Sequence, residues 1–369
     1  MNFKISTKTL NTAIDNISKV INSTSLKPEL NGIKIVVDYT QLIFIASDNN
    51  MSVQLNLNID ENRDIQIINI GTVLINRNLI DLFHRINSEY VEFEIIDGNL
   101  MKISSDNLVT EVSCFDVNEY PIIDFTQPEI TFKLENNLLN KIIRQTAFCA
   151  SDKENRPTLT GINFKANDNM LTVTCTDGYR LAKKVVNIDF SNNFDVTIPA
   201  DSLNKIDRII NDDQVLTFSL NNNKLQIIKD NYIIQTRLID GKYPETSSFI
   251  ANNFDKKLVI DSKELSNAIS SSLFIKRDGM SIVTLYLSSN EVILTSNNDE
   301  NSIKVNLTNF EYEGDPFTVT FSSKYALQAL SGLSSSTVIF NFISTFKPFI
   351  IKPMDDTTIL QLILPVKTK

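Results

Sequence analysis

The feature that most constrains the fold of this chain is a sequence unit that occurs three times along it. The segments FKISTKTLNTAI, FKLENNLLNKII and LVIDSKELSNAI begin at Phe3, Phe132 and Leu258, and in each a short alternating strand leads into a helix. Their apolar residues recur at spacings of three and four, which places those residues on one face of each helix. The repeat therefore predicts a chain built from three similar domains.

Each copy continues in the same way after its first helix. A strand, a polar turn and a second strand form a hairpin. Another strand then enters a second amphipathic helix, for which Asn76, Asp201 and either Ser322 or Ser323 are the candidate N-caps, and further hairpins close the copy. Two helices on one face of antiparallel sheets predict an α+β fold.

The length of the chain and the joins between the copies set the expected domain boundaries. At 369 residues the chain is too long for one ordinary core. The joins at DFTQPEI and FIANNFDKK are short and polar, as domain boundaries usually are. We therefore expect domains at residues 1–126, 127–250 and 251–369.

Charge and composition exclude several classes of protein. The net charge of −9 and the pI near 4.9 argue against tight, immobile binding of nucleic acid, although a positive face on an acidic body stays open. No apolar stretch approaches the roughly 20 residues of a membrane helix, and the first residues carry no signal-peptide core. The scattered cysteines Cys114, Cys149 and Cys175 suit buried thiols in a reducing compartment. We expect a cytoplasmic protein without membrane association.

One short motif distinguishes the second copy from the other two. It is TDGYRLA at residues 176–182, in which Asp177 aligns with Asp48 and Asn297 of the other copies. The glycine, tyrosine and arginine that follow the aspartate occur only in the second copy. A glycine, an aromatic ring and a guanidinium at one strand end indicate a binding site that belongs to the second domain alone.

Together with RPTLTGI at 156–162, LIDGKYPE at 238–245 and LILPVK at 362–367, this motif makes the chain resemble the bacterial β sliding clamps, the processivity subunits of the DNA polymerase III holoenzyme. The resemblance covers essentially the whole chain. It implies three tandem domains of the DNA-clamp fold in a ring-shaped head-to-tail homodimer, with helices lining a central hole and antiparallel sheets outside. Similar domains around an axis can close through heterologous contacts, and closure removes exposed sheet edges.

The resemblance implies a binding function and not an enzymatic one. A processivity factor of this family encircles duplex DNA, slides without sequence specificity, and tethers other proteins through a peptide-binding pocket between the second and third domains. The implied partners are a second copy of the chain, double-stranded DNA, the DNA polymerase III α subunit, the clamp loader, and other proteins with a clamp-binding motif, such as repair polymerases, mismatch repair proteins and ligase. The resemblance implies no cofactor and no metal ion.

The resemblance also assigns residues to the peptide-binding pocket. They are Leu159, Thr176, Gly178, Tyr179, Arg180, Leu181, Pro244, Ser248, Phe249, Tyr325, Leu362, Leu364, Pro365, Val366 and Lys367. Gly178 either allows a ligand backbone to approach closely or permits a positive φ. The leucine, valine and proline side chains form an apolar slot, and Arg180 offers a planar fork of donors to the peptide backbone or a carboxylate. Tyr179 stands where the family often has histidine, and Ser248, followed by Phe249, stands where it often has arginine, so the preferred partner sequence is open. The alternative for this motif is a hairpin turn with Arg180 in a structural ion pair.

Positive side chains on the predicted inner helices and rim loops are the candidates for weak contacts with DNA phosphates. They are Lys27, Arg77, Arg85, Lys141, Arg144, Lys153, Arg156, Lys205, Arg208, Lys276, Arg277 and Lys324. At one rim loop the family usually has an arginine where this chain has Thr24, and Lys27 is its expected substitute. Acidic residues lie among these cations, so the positive excess is modest, as weak phosphate contacts that do not read the bases require. The alternative for any one lysine is a solvated helix face.

For the joint between subunits, the resemblance pairs an edge strand of the first domain with the third domain of the partner. The edge strand is LVTEVSCF, in which Val112 is the apolar contact. Opposite it, Phe274 and Ile275 match an apolar pair on a helix. The alternative for this pair is ordinary core.

Two other functions are open from the sequence. A solenoid-like adaptor would bind peptides without DNA. A hydrolase would use carboxylates such as Asp48, Asp177 and Asp240, but these recur at equivalent turns of the repeats, which favours turn chemistry. The single histidine, His84, lies near no nucleophile motif, and the sequence contains no phosphate-binding, dinucleotide or zinc-protease motif. We therefore expect no enzymatic activity.

Overall fold

A computed structural model of the chain describes residues 1–22, 27–59, 64–153, 155–210, 213–251 and 253–367. Across these residues the chain forms six α-helices and 26 strands. The helices are α1 Thr7–Ser18, α2 Ile80–His84, α3 Asn136–Thr146, α4 Ala200–Ile209, α5 Ser262–Ser271 and α6 Ser323–Leu333. None of the helices in this part of the chain has the length and apolarity that a bilayer crossing requires.

The strands follow the repeat. The first copy contains β1 Asn2–Ser6, β2 Gly32–Val37, β3 Gln41–Ser47, β4 Met51–Asn58, β5 Ile65–Asn69, β6 Gly71–Asn76, β7 Tyr90–Asp97, β8 Leu100–Ser105 and β9 Leu108–Ser113. The second contains β10 Ile130–Glu135, β11 Gly161–Asn167, β12 Met170–Thr176, β13 Arg180–Asn187, β14 Phe194–Pro199, β15 Val215–Leu220, β16 Lys224–Lys229 and β17 Tyr232–Arg237. The third contains β18 Lys256–Asp261, β19 Ile282–Leu287, β20 Val292–Asn297, β21 Ser302–Leu307, β22 Phe310–Glu313, β23 Phe317–Ser322, β24 Thr337–Phe342, β25 Phe349–Pro353 and β26 Ile359–Ile363.

The chain divides into two compact units that cut across the three copies. The first unit is Met1–Asn137 with Asp201–Leu238. It holds a five-stranded antiparallel sheet, in the order β5-β1-β7-β8-β9, and an eight-stranded one, in the order β10-β15-β16-β17-β4-β3-β2-β6. The eight-stranded sheet joins the first two copies, because β17 of the second pairs with β4 of the first.

The second unit is Leu138–Ala200 with Ile239–Lys369. Its nine-stranded sheet has the order β14-β11-β12-β13-β26-β25-β24-β18-β22, and its four-stranded sheet has the order β21-β20-β19-β23. The second and third copies share the larger sheet, because β13 pairs with β26 in an antiparallel register that runs from Arg180 opposite Ile363 to Lys184 opposite Ile359.

The helices form where the apolar spacing predicted them. In α1 the residues Leu10, Ala13, Ile14 and Ile17 are buried, and the Ser6 hydroxyl caps the helix. Burying one such aliphatic side chain contributes about 1.5–3 kcal/mol to the free energy of unfolding, so this face holds the helix on its sheet.

The predicted N-caps have mixed outcomes. Asn76 accepts a hydrogen bond from the N–H of Asn78 at 2.9 Å, and Ser322 accepts one from Tyr325 at 3.4 Å. Asp201, by contrast, lies inside the first turn of α4 and not before it. Since Ser323 opens α6, Ser322 is the cap of the predicted pair.

Candidate functional site

The motif TDGYR forms a tight turn between β12 and β13. The Oδ1 atom of Asp177 accepts hydrogen bonds from the N–H groups of Tyr179 at 2.8 Å and Arg180 at 3.0 Å. Gly178 has φ +89°, a left-handed conformation that side chains other than glycine rarely adopt. Apart from the glycine itself and its two chain neighbours, no atom of the described residues lies within 4 Å of the point where a Cβ of Gly178 would stand. The glycine is therefore needed for its backbone conformation and leaves open space above the turn.

The same turn occurs in the other copies. Asp48 accepts from the N–H groups two and three residues on, at 3.0 and 2.8 Å, and Asn298 does the same at 3.0 and 2.7 Å. The counterpart of Asp177 in the third copy is thus Asn298, and the alignment with Asn297 is wrong by one residue. These side chains are engaged in turn hydrogen bonds, as the interpretation of Asp48 and Asp177 as turn residues predicts.

Arg180 is a buried side chain that lies beside this turn. Only 6% of its surface is exposed. Its Nε donates to Asp177 Oδ2 at 3.0 Å and its Nη1 donates to Gln328 Oε1 at 2.5 Å. Its guanidinium carbon lies 4.4 Å from the ring centre of Tyr325 and 5.3 Å from that of Phe148. A charge this deeply buried is stable only because it is paired, hydrogen-bonded and stacked on aromatic rings.

The turn and Arg180 form part of one cleft of about 320 Å³ in the second unit. Its lining residues come from the second copy, the third copy and the C-terminal strand. They are Arg156, Leu159, Thr176, Gly178, Arg180, Leu181, Pro244, Thr246, Phe249, Pro348, Leu362 and Leu364. Most of these belong to the set predicted for the peptide-binding pocket. Leucine and proline side chains with the guanidinium groups of Arg156 and Arg180 give a cleft that accepts apolar side chains and offers few polar contacts.

The remaining predicted pocket residues lie around the cleft and not in its lining. Tyr179 is 59% exposed, and Ser248 is also exposed. Tyr325 stacks against Arg180, which lines the cleft. Pro365, Val366 and Lys367 belong to the C-terminal tail.

Two backbone hydrogen bonds hold this tail in place. The N–H of Leu364 donates to the carbonyl of Tyr179 at 2.9 Å, and that of Val366 donates to Thr320 at 2.8 Å. The tail is therefore anchored to both the second and the third copy.

Three lining residues were not predicted for this pocket. Arg156 was predicted to contact DNA, and Thr246 and Pro348 were not singled out. Thr246 lies between two predicted residues in sequence, so its neighbours were a usable signal. Pro348 precedes β25, and only the pairing of β25 with β26 brings it to the cleft.

Buried titratable groups lie under the cleft. The hydroxyl of Tyr243 accepts a hydrogen bond from the N–H of Thr176 at 2.9 Å, and burial raises the pKa of Tyr243. Burial likewise raises the pKa of Cys149 and of Cys175. These thiols are therefore protonated at neutral pH and are poor nucleophiles.

The candidate DNA contacts fall into different environments. Lys27, Arg85, Arg144, Lys153, Arg156, Arg208, Lys276, Arg277 and Lys324 are exposed, and Arg77 is half-buried. Thr24 lies outside the described residues. Arg277 Nε donates to the carbonyl of Asn297 at 2.5 Å, which fixes its orientation.

Lys205 and Lys141, both predicted to contact DNA, are paired with carboxylates. Lys205 Nζ lies 2.5 Å from Asp48 and 3.0 Å from Asp201. Burial alone would lower the pKa of Lys205, but its hydrogen bonds to these carboxylates outweigh burial and raise it. Lys141 lies 2.7 Å from Asp356. Both charges are locally compensated, so they are weaker candidates for phosphate contacts than the exposed arginines.

The residues predicted for the subunit joint also differ in their exposure to solvent. Strand β9 lies at the edge of the five-stranded sheet, and Val112 on it is half-buried. Phe274 and Ile275 lie in the turn after α5, so their prediction as a helical pair is wrong. Phe274 is 63% exposed, whereas Ile275 is only 1% exposed and belongs to the core.

Comparisons with known proteins identify the family of the chain. Family models described as the N-terminal, central and C-terminal domains of the DNA polymerase III beta subunit match residues 1–124, 133–245 and 247–367. A beta sliding clamp of Bacillus subtilis is 30% identical over 378 residues that cover 100% of both chains. One from Staphylococcus epidermidis is 30% identical over 357 residues, or 95% of each chain.

Solved structures give the same result. The crystal structure of the DNA polymerase sliding clamp from Bacillus subtilis superposes with a TM-score of 0.95 at 28% identity, over 100% of both chains. That of the DNA polymerase III beta chain from Streptococcus pneumoniae superposes with a TM-score of 0.95 at 26% identity, again over 100% of both chains. The prediction of three tandem α+β domains is confirmed, and the chain belongs to the DNA polymerase III beta subunit family, the bacterial beta sliding clamps.

Proposed function

We propose that this chain assembles head to tail into a ring-shaped homodimer that encircles duplex DNA and slides along it as a DNA polymerase processivity factor. The observation that carries the proposal is the family match along the whole chain, which extends over all three domains. In this assignment the domains span residues 1–126, 127–250 and 251–369, and the protein works in the cytoplasm without enzymatic activity.

The charge distribution favours a protein that slides along DNA rather than one that binds it tightly at one place. The body of the protein is acidic, with a net charge of −9, and the candidate cations are mostly exposed arginines and lysines with solvent around them. Contacts of this kind neutralise phosphates weakly and without reading bases. Topological closure, and not chemical affinity, then keeps the ring on DNA.

The cleft supports the second part of the proposal, in which the ring tethers other proteins to DNA. Its apolar walls and buried Arg180 suit a short peptide whose leucine-like side chains enter the cleft. In this role it binds the DNA polymerase III α subunit, the clamp loader and other proteins with a clamp-binding motif. The subunit joint uses β9 with Val112 on one side and the exposed Phe274 on the other.

One experiment tests both parts of the proposal. The protein is loaded onto nicked circular DNA by its clamp loader, half of the sample is linearised, and retention and polymerase stimulation are measured. A ring stays on the circle and runs off the linear form, whereas equal retention on both forms would refute encirclement and release from both would favour a peptide adaptor.

The cleft is tested in the same assay with a matched pair of variants. Phe249→Ala alters a lining residue that is 60% exposed, so it should reduce polymerase stimulation without unfolding the protein. Tyr39→Ala, at an aromatic residue that is 76% exposed in the first unit, should leave stimulation unchanged. Equal stimulation by the two variants would mean that the polymerase binds elsewhere.

A further inference from the structure

A groove that the proposed function does not use lies beside the cleft, on the same face of the nine-stranded sheet. On β13 and β26, Leu181 pairs with Leu362, and both line the cleft. Two residues further along, Lys183 pairs with Leu360, and both line the groove, together with Lys352 of β25. The groove has a volume of about 380 Å³. We call it the lysine groove.

The 3₁₀ segment that follows the YPE motif, with the residues on either side of it, lines both the cleft and the lysine groove. In this segment Thr246 and Phe249 line the cleft, whereas Ser247 and Ile250 line the groove. Two residues along a strand correspond to about 7 Å, so the two sites are within reach of one extended peptide.

The lysine groove is lined by two lysines and by no carboxylate among the described residues, in a chain that is acidic overall. In the described part of the chain neither Lys183 nor Lys352 lies within ion-pair distance of a carboxylate. The carboxylates of the adjoining turns are engaged elsewhere. Asp356 is bound by two other lysines, Asp355 accepts a hydrogen bond from a serine hydroxyl, and Glu245 accepts from N–H groups of the 3₁₀ segment.

The side chains around the two lysines complete a site for an anionic segment. Ser247 and Thr357 contribute hydroxyl groups, and Ile250 and Leu360 form an apolar floor. Half-buried lysines over an apolar floor interact more strongly with a carboxylate than fully solvated ones, because screening by water and salt is weaker there.

We propose that the lysine groove is a second docking site for the peptide that occupies the cleft, and that it binds an acidic segment directly beside the peptide's apolar anchor. The inference rests on the proposed peptide-binding function of the cleft. Since the groove begins about 7 Å from the cleft, the acidic residues lie within about two to four positions of the anchor. The groove thereby favours partners whose motif is flanked by aspartate or glutamate.

The test uses two fluorescein-labelled peptides that share one core from the cognate polymerase α subunit. One core is flanked on both sides by Asp-Glu-Asp, and the other by Ser-Gly-Ser. Dissociation constants are measured by fluorescence anisotropy for the wild type, for Lys183→Gln with Lys352→Gln, and for Lys263→Gln with Lys304→Gln. The last pair removes the same charge from exposed lysines outside both sites.

Acidic flanks should tighten binding to the wild type by roughly 2- to 30-fold, as expected for two partly screened ion pairs. The gain should disappear in the groove variant, persist in the control variant, and shrink at 1 M salt, where the screening length falls to about 3 Å. Tight binding of the neutral peptide with no gain from the acidic flanks, or a gain that persists in the groove variant, would overturn this proposal alone. Failure of both peptides to bind would overturn the peptide function of the cleft as well.

Discussion

Replacing Asp356 with asparagine should destabilise the second unit far more than replacing its buried partner Lys184 with methionine. Lys184 is 1% exposed, and its Nζ lies 2.9 Å from Thr358 Oγ1 and 3.4 Å from Asp356 Oδ2. Asp356 also accepts from Lys141 at 2.7 Å. Burial lowers the pKa of Lys184, and Asp356 partly offsets this by favouring the charged form.

The magnitude follows from which charge is left without a partner. Asp356→Asn leaves the buried ammonium of Lys184 with neutral acceptors only, and breaking a buried ion pair in this way costs about 3–5 kcal/mol. Lys184→Met keeps the aliphatic stem and removes the desolvated charge, while Asp356 keeps Lys141 and Thr358. Its cost should be within about 1 kcal/mol, because a hydrophobic side chain of similar volume often replaces a buried ion without loss.

Thermal unfolding followed by circular dichroism gives the comparison. For a domain of 150–250 residues, 1 kcal/mol shifts Tm by about 2–4 °C, so a loss of about 3–5 kcal/mol in Asp356→Asn should lower Tm by roughly 6–20 °C. Lys184→Met should lower Tm by less than about 4 °C. The double variant should be more stable than Asp356→Asn alone. Equal losses in the two single variants, or a double variant no better than Asp356→Asn, would refute the reasoning.

The pH dependence supplies a second check on the same pair. Burial alone would raise the pKa of Asp356, but hydrogen bonds from Lys141 and Thr358 outweigh it and hold the pKa well below its ordinary value of 3.8. A depressed carboxyl pKa stabilises the fold above the ordinary value, and that contribution is lost as pH falls toward the folded-state pKa. The difference in Tm between wild type and Asp356→Asn should therefore be full at neutral pH and shrink below about pH 4.

Two further predictions concern the subunit joint and the cleft. Phe274→Ala should weaken the homodimer in sedimentation velocity without changing Tm, whereas Ile275→Ala should lower the stability of the fold by about 2–5 kcal/mol, and a Phe274→Ala dimer that persists at nanomolar concentration would contradict this division. Gln328→Leu should weaken peptide binding by leaving Arg180 Nη1 without its acceptor, and Gln328→Glu should retain binding. Equal dissociation constants for the two Gln328 variants would show that Gln328 does not position Arg180.

Local features of the fold could be predicted from the sequence because they depend on spacing along the chain. The apolar face of α1 and the turn at Asp177 each depend on residues that are close together in the sequence. The prediction of Asp201 as an N-cap was wrong because α4 begins one residue earlier, at Ala200. The exact first residue of a helix depends on the conformation of the residues before it.

Long-range pairing could not be predicted in the same way. The local pattern of β13 does not indicate that it pairs with β26, more than a hundred residues later. Pro348 likewise reaches the cleft through the pairing of β25 with β26. Lys205 has the sequence context of a solvated helix residue, yet its partner Asp48 lies 157 positions away. The sequence also marks Phe274 and Ile275 equally as apolar, and only tertiary packing makes one exposed and the other core.

The pairing of β13 with β26 connects the cleft, the lysine groove and the buried ion pair of Lys184, because neighbouring side chains on a strand point to opposite faces. Leu181 faces the cleft and Lys183 faces the lysine groove, whereas Lys184, on the other face, is buried against Asp356. If β13 slipped by one residue against β26, the two faces of β13 would be exchanged and Lys183 would take the buried position. The ion pair between Lys184 and Asp356 and the pairing of Leu181 with Leu362 would both be lost. A buried ion pair that adds little net stability can still select one register, and here that register is the one that assembles the cleft.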